Sequence, residues 1–277
     1  MKKKKIFWIV LIIFILLGLD HRLLIRNYQL DVEEITNPVR IVLITDLHSC
    51  YYGKNQQNLL NAIDEQNPDL IALSGDIFDD VLASGNTEAV ISAISEKYSC
   101  YYVTGNHECW NTMDGFSEDV EFLKEHNVHV LSGDMETIEV NQQKINICGV
   151  DDPDAYSYFM TRATIDDQLE TVDSLSQNGN YTILLSHRPE LFPEYQELNF
   201  DLILCGHAHG GQWRIPVILN GLYAPDQGFF PKYAGGKYQK NQSTMIVSRG
   251  LARESTRVPR FYNRPELVVI DLQYSEE

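Results

Sequence analysis

Cysteine is scarce in this 277-residue chain. Five cysteines are too few for a disulfide scaffold of this length. No two of them form a CxxC pair, which argues against a structural zinc ribbon. Basic residues are also few: 22 Lys and Arg face 39 Asp and Glu, giving a formal charge of -17. Nucleic-acid backbones are held by Lys and Arg, so the composition speaks against a nucleic-acid partner. There is no internal repeat and no low-complexity tract. With 44% apolar and 22% charged residues, the chain is globular rather than disordered.

What the sequence does have is uneven. Residues 1–30 carry Lys2, Lys3, Lys4, Lys5, Arg22 and Arg26 against Asp20 alone, whereas residues 31–277 hold 16 basic and 38 acidic residues. Ile6 to Leu19 is an uninterrupted apolar run. At about 1.5 Å per residue it spans roughly 21 Å, less than a hydrocarbon core of about 30 Å. Two readings compete for residues 1–30: a cleaved secretory signal, or an uncleaved anchor that uses Leu23–Ile25 and snorkelling flanks to make up length. No small-x-small cleavage site follows the run, which favours the anchor. The run is apolar on all sides, which weakens a third reading, a helix lying on the membrane surface. The lysine cluster favours a cytoplasmic N-terminus. The expectation is a single-pass membrane protein whose body, residues 31–277, lies outside the cytoplasm, with secretion after cleavage as the alternative.

The body alternates strand and helix patterns. Arg40–Thr45, Asp69–Ser74, Cys100–Thr104, Tyr181–Ser186 and Asp201–Cys205 are short β-rich apolar runs of the buried-strand type. Asn55–Gln66, Thr87–Glu96, Ser117–His126 and Thr164–Ser176 have helical spacing, while Glu136–Val140 and Lys144–Val150 suggest a hairpin. Residues 31–39 look like a linker or first edge. Such alternation implies an α/β domain with mixed sheets.

Polar residues collect where these strands end, the usual place for a site in open α/β sheets. The segments are Asp46-Leu47-His48, Gly75-Asp76-Ile77-Phe78-Asp79, Gly105-Asn106-His107-Glu108, Ser186-His187-Arg188-Pro189 and Gly206-His207-Ala208-His209-Gly210-Gly211. Five of the eight histidines lie in them. Oxygen and imidazole donors without thiolate suit Mn, Fe or Zn better than Ca²⁺ or a structural zinc site. Singly, each residue has a plainer reading: Asp46 or Asp76 as a helix cap, Asn106 as a turn residue, the histidines as hydrogen-bonded loop residues. Together those readings need five coincidences.

D-x-H, G-D-x-x-D, G-N-H-E, a lone histidine after a strand and G-H-x-H, in that order over roughly residues 40–272, resemble the calcineurin-like metallophosphoesterases. The extended block 206–216 and Gly149–Pro153 resemble the membrane-anchored bacterial, YkuE/YaeI-like phosphodiesterase branch. The resemblance implies a four-layer α/β/β/α sandwich of two mixed sheets, preceded here by an N-terminal membrane helix. It implies two divalent metal ions: Asp46, His48 and His209 would hold the first, Asn106, His187 and His207 the second, and Asp76 both. It also implies hydrolysis of a phosphate ester or pyrophosphate by metal-activated hydroxide. His107 would protonate the leaving oxygen or steady the transition state, or else only orient Asn106.

Arg188 and Arg214 flank the metal blocks and are candidate phosphate-binding residues, since guanidinium forks onto phosphate oxygens; surface ion pairing is the alternative. Asp79, Glu108 and Asp151 read as supporting residues rather than ligands. Aromatics between Trp213 and Tyr238 could line a groove, meet a bilayer or simply fill the core. The leading function is a membrane-tethered phosphodiesterase. Its substrate would be a phosphate ester, with the anchor pointing to a lipid-linked or envelope-derived one. A phosphomonoesterase or nuclease of the same fold, or a non-enzymatic metal-binding scaffold, are the alternatives.

Overall fold

A computed structural model describes residues 2–159, 163–253 and 258–274. Helix α1 (Lys2–Gly18) leads into strand β1 (Leu24–Val32), followed by β2 (Val39–Ile44), α2 (Gln57–Asp64), β3 (Leu70–Ser74), α3 (Gly85–Ser95) and β4 (Ser99–Val103). Next come α4 (Asn106–Trp110), α5 (Met113–Glu125), β5 (His129–Val130), the hairpin β6 (Asp134–Val140) and β7 (Gln143–Gly149), α6 (Pro153–Phe159) and α7 (Ile165–Ser176). The chain closes with β8 (Tyr181–Leu185), α8 (Phe192–Tyr195), β9 (Leu202–Cys205), a short hairpin β10 (Tyr223–Ala224) and β11 (Gly228–Phe229), β12 (Gly236–Lys240), β13 (Ser243–Val247) and β14 (Glu266–Tyr274).

Two six-stranded sheets result, ordered β1-β14-β2-β3-β4-β5 and β12-β13-β9-β8-β7-β6. Both are mixed. β2, β3, β4 and β5 run parallel, with β14 antiparallel to β2. In the second sheet β7, β8, β9 and β13 run parallel between two antiparallel edges.

The central strands are buried on both faces, which explains their unbroken apolar runs. Their inner faces meet in one core, where Leu43, Ala72 and Val103 face Ile147, Ile183 and Leu204. The outer face of the first sheet carries Leu59, Ile63, Val90, Ile94 and Leu123 from α2, α3 and α5. The outer face of the second carries Leu169, Val172, Phe192 and Tyr195 from α7 and α8. The layers are therefore helix, sheet, sheet, helix, as expected.

The N-terminus departs from expectation. Leu23–Ile25 do not lengthen an apolar helix. β14 recruits the segment as an edge strand in register from Leu24↔Glu266 to Val32↔Tyr274. β1 begins before residue 31; residues 31–32 end this edge strand and residues 33–38 link it to β2. α1 stops at Gly18, and Arg22 turns back to bind Asp20 through two bonds of 2.9 Å. The expected membrane-spanning helix is not found: among the described residues no helix is long and apolar enough to cross a membrane.

Candidate metal centre

Six of the seven expected ligands follow the carboxyl ends of β2, β3, β8 and β9, and Asn106 opens α4 just after β4. Because both sheets send these ends the same way, residues 160 positions apart in sequence meet over the inner core. The loops are laced to one another. Asp46 N–H donates to the Gly75 carbonyl at 3.0 Å, and His48 N–H to that of Asp76 at 3.0 Å. His207 N–H donates to Asp46 Oδ1 at 3.0 Å, and His107 N–H to Asp76 Oδ1 at 2.9 Å. Gly105 is required at its position, since a Cβ there would collide with the backbone nitrogen and carboxylate of Asp76.

Asp46, His48, Asp76 and His209 place one ligand atom each within 4.8 Å of one another, and so do Asp76, His187 and His207. Asp76 belongs to both groups. Its Oδ2 lies 3.1 Å from His187 Nε2 and 3.5 Å from His48 Nε2.

Whether this set fits cations is decided by which polar atoms are satisfied. Asp46 Oδ2, His48 Nε2, Asp76 Oδ2, Asn106 Oδ1, His187 Nε2 and His209 Nδ1 are all buried without a hydrogen-bond partner. Buried polar atoms are almost always paired, so six such atoms on the expected ligands are a strong deviation. The other atom of several of these groups is fixed. His48 Nδ1 meets Asp79 Oδ2 at 2.9 Å, and His187 Nδ1 donates to the Ser74 carbonyl at 2.9 Å, which turns each Nε2 lone pair inward. His207 differs. Its Nε2 is taken by Asp226 Oδ2 at 2.8 Å, leaving Nδ1 as its ligand atom. The residues present fit a pair of divalent cations.

Backbone conformation agrees. Asp46, His48, Asp76, His207 and His209 all have left-handed φ, between 45° and 64°. Each costs a non-glycine residue about 1 kcal/mol or more, and such strain concentrates at functional sites. The electrostatics also favour positive charge. Burial disfavours a charged His187, yet the Asp76 and Asp46 carboxylates outweigh it and push its imidazole up to about 10. Burial, then the neighbouring His48 and Arg260, hold His209 well below the usual histidine range.

Beside this centre, His107 is partly exposed. Its Nδ1 lies 2.6 Å from Asp80 Oδ1, and its ring meets His48 edge-on at 4.4 Å. Glu108 is fully engaged: Oε1 accepts Ile77 and Phe78 N–H at 2.6 and 3.1 Å, and Oε2 accepts Asp76 and Gly105 N–H at 3.0 and 2.8 Å. It ties the Asp76 loop to the Asn106 loop. Asp151 braces Thr104 at 3.0 Å and Gln168 at 3.2 Å.

The two arginines are not open phosphate-binding groups in this structure. Arg188 gives Nε and Nη2 to Asp152 at 2.5 and 2.8 Å, and Nη1 to Asp226 at 2.5 Å. Arg214 donates to the Gly210 carbonyl at 3.1 Å and to Asn220 Oδ1. For Arg188 the reason is the acidity noted above, since Asp152, Asp154, Glu190 and Asp226 surround it; Arg214 is instead tied to its own loop. Asp226 and Asp80 were not singled out in the sequence, because each sits among acidic or loop residues with no motif spacing. Arg260 also went unnoticed; it is buried with Nε, Nη1 and Nη2 all lacking partners. The five cysteines are buried, outside any disulfide and outside both ligand groups.

Residues 39–211 match the model of the calcineurin-like phosphoesterase family. The chain belongs to that family. Membership carries metal-dependent phosphoester hydrolysis and a dinuclear divalent centre. Among curated relatives of this calcineurin-like phosphoesterase is the metallophosphoesterase Cj0846 of Campylobacter jejuni, 28% identical over 90% of this chain and 63% of the relative. Another is phosphodiesterase YaeI of Escherichia coli, 26% identical over 90% of this chain and 87% of the relative. The chain thus spans less than two thirds of the Campylobacter protein. A 5′-nucleotidase precursor from Thermus thermophilus shares the fold, with a TM-score of 0.53 at 13% identity over 86% of this chain and 55% of that one.

Proposed function

We propose that this chain is a phosphodiesterase held at a membrane by its N-terminal segment, acting on lipid-linked or envelope-derived phosphate esters with Mn, Fe or Zn. One observation carries the chemistry: two groups of ligands sharing Asp76, on residues that keep six buried polar atoms without a hydrogen bond. Asp46, His48 and His209 would hold one cation, and Asn106, His187 and His207 the other. When bound, such a pair acidifies water and neutralises charge on phosphate oxygens.

The chain's own residues supply orientation and a proton. Asp79 fixes the His48 ring, Ser74 fixes His187 and Asp226 fixes His207. His107 stands at the open side of the centre, backed by Asp80, where an imidazole can protonate a departing alkoxide. An alkoxide gains more from that proton than a phenolate does, which supports an alkyl leaving group. The YaeI relative's name supports a diester over a monoester.

The test is Mn²⁺-dependent hydrolysis of bis(p-nitrophenyl) phosphate against p-nitrophenyl phosphate. The diester should be the faster substrate and Asp76→Ala should abolish turnover. His107→Ala should lower kcat about 10²-fold or more on a diester with an alkyl leaving group, and less on the nitrophenyl diester. Full activity in Asp76→Ala refutes the two-cation reading; a faster monoester refutes the diesterase assignment alone.

A further inference from the structure

Two apolar features of this chain lie uncovered next to the metal centre. The first is α1. Its residues from Ile6 to Leu17 are exposed on nearly every side, and only its last turns touch the body. Phe14 packs against the rings of Phe261 and Tyr262, and Tyr262 N–H donates to the Gly18 carbonyl at 2.7 Å. The next residue, Asn263, donates to the carbonyl of His209 at 2.7 Å. The dock of α1 is therefore one residue from a group that holds a ligand loop.

The second feature is the loop that leaves His209. It carries Val217, Ile218, Phe229 and Phe230 at relative exposures of 108%, 82%, 70% and 69%. This loop is tied down at the ligand block, where Leu222 N–H donates to the Gly211 carbonyl at 2.9 Å and Asp226 meets His207. Ile215 to Leu219 line the same cavity as Tyr262, so the loop and the α1 dock are neighbours. Monomer surfaces rarely leave this many large apolar residues of one loop in water.

We infer that Val217, Ile218, Phe229 and Phe230 rest in the headgroup region of a phospholipid bilayer beside α1, so that the rim of the metal centre faces the lipid surface. The inference rests on the membrane attachment proposed above and adds the surface that meets the lipid. Lipid fits better than a protein partner for two reasons. α1 has no polar stripe to turn toward solvent, as a helix docked on a protein would. Its exposed end bears Lys3, Lys4 and Lys5, which complement anionic headgroups.

The experiment uses the full chain with Ile218→Cys labelled by an environment-sensitive fluorophore. The five native thiols are buried and stay unlabelled. Vesicles of phosphatidylethanolamine and phosphatidylglycerol should blue-shift the label, and nitroxide-bearing lipid should quench it. A label on Gln142→Cys, in the turn before β7 at the opposite end of its sheet, should not respond. Replacing the four rim residues by Ser should weaken vesicle partitioning at least roughly tenfold. A chain that floats with vesicles while the label at 218 stays in water overturns the rim assignment but leaves attachment through α1. A blue shift that needs high protein concentration and no vesicles assigns the face to a second copy and overturns the lipid assignment. Absence of flotation overturns both attachment and rim. Hydrolysis of bis(p-nitrophenyl) phosphate by the same labelled protein reports separately on the metal centre.

Discussion

Replacing Glu108 by Gln changes almost no volume, yet it should be among the most damaging single substitutions in the domain. The carboxylate is buried and accepts four backbone N–H groups, three from the Asp76 loop and one, that of Gly105, from the Asn106 loop. A glutamine offers one carbonyl oxygen, enough for two of them. Its amide nitrogen would face the other two donors, so two charge-assisted bonds are lost and two buried N–H groups are orphaned. Bonds to a charged acceptor are worth about 1.5–3 kcal/mol each, and an orphaned donor costs about 1–3. Against this stands a partial relief, because burial and then the Asp76 charge already push the Glu108 carboxyl up from its usual range. Counting the two orphaned donors alone, the loss is about 2–6 kcal/mol, or roughly 4–24 °C in Tm for a domain of this size. Urea denaturation, with Glu96→Gln on the exposed end of α3 as control, measures it. A Glu108→Gln midpoint as high as that of the control would refute the reasoning.

Three other consequences can be measured directly. Asp79→Asn removes the charge behind His48 Nδ1 and should weaken cation binding about tenfold, read by Mn²⁺ titration; an unchanged affinity would mean the ring is held by packing alone. Asp119, on α5, has its carboxyl pushed up to about 7 from 3.8, by burial first and then by Glu108. Its folded pKa exceeds its unfolded one, so stability is unaffected below about pH 4, falls as pH rises toward 7, and stays reduced above. Asp119→Asn should therefore be about 1–2 kcal/mol more stable than the parent at pH 8 and equal at pH 4, a smaller gain than the shift alone implies because the side chain is partly solvated. Arg260→Met removes a buried guanidinium whose three nitrogens lack partners and should raise the unfolding free energy by about 1–3 kcal/mol; a drop would show that the charge stabilises the fold.

The strands and the ligand blocks were legible because each is a local signal. An apolar run ending in Asp, Asn or His states both the strand and where it stops, and Ile41–Ile44 running into Asp46 and His48 is typical. The N-terminal boundary was not legible. Leu24–Val32 alternates no more clearly than a flank of an apolar helix does, and only its pairing with β14, some 240 residues away, makes it a strand. The supporting residues were hidden for a related reason. Asp226 sits in an irregular loop after the last histidine block, and nothing in its neighbours says that it reaches His207. Arg188 shows the converse: motif proximity suggested substrate, while a clustering of Asp152, Asp226 and Glu190 in space made it a strut.

The ligand loops of this fold are costly to keep without cations. Five left-handed residues, six unpartnered donor atoms and a set of close carboxylates all raise the free energy of the same few loops. What holds them is the lacing between loops: Asp46 to His207, Asp76 to His107, and Glu108 to both the Asp76 and the Asn106 loops. The bonds to the two ligand aspartates use Oδ1 of each and leave Oδ2 without a hydrogen bond, so the scaffold supports the ligands without satisfying them. A fully hydrogen-bonded version of the same loops would be more stable and would have no affinity to offer. The incomplete satisfaction is therefore part of the function, and the two packed sheets supply the stability that lets the loops remain so.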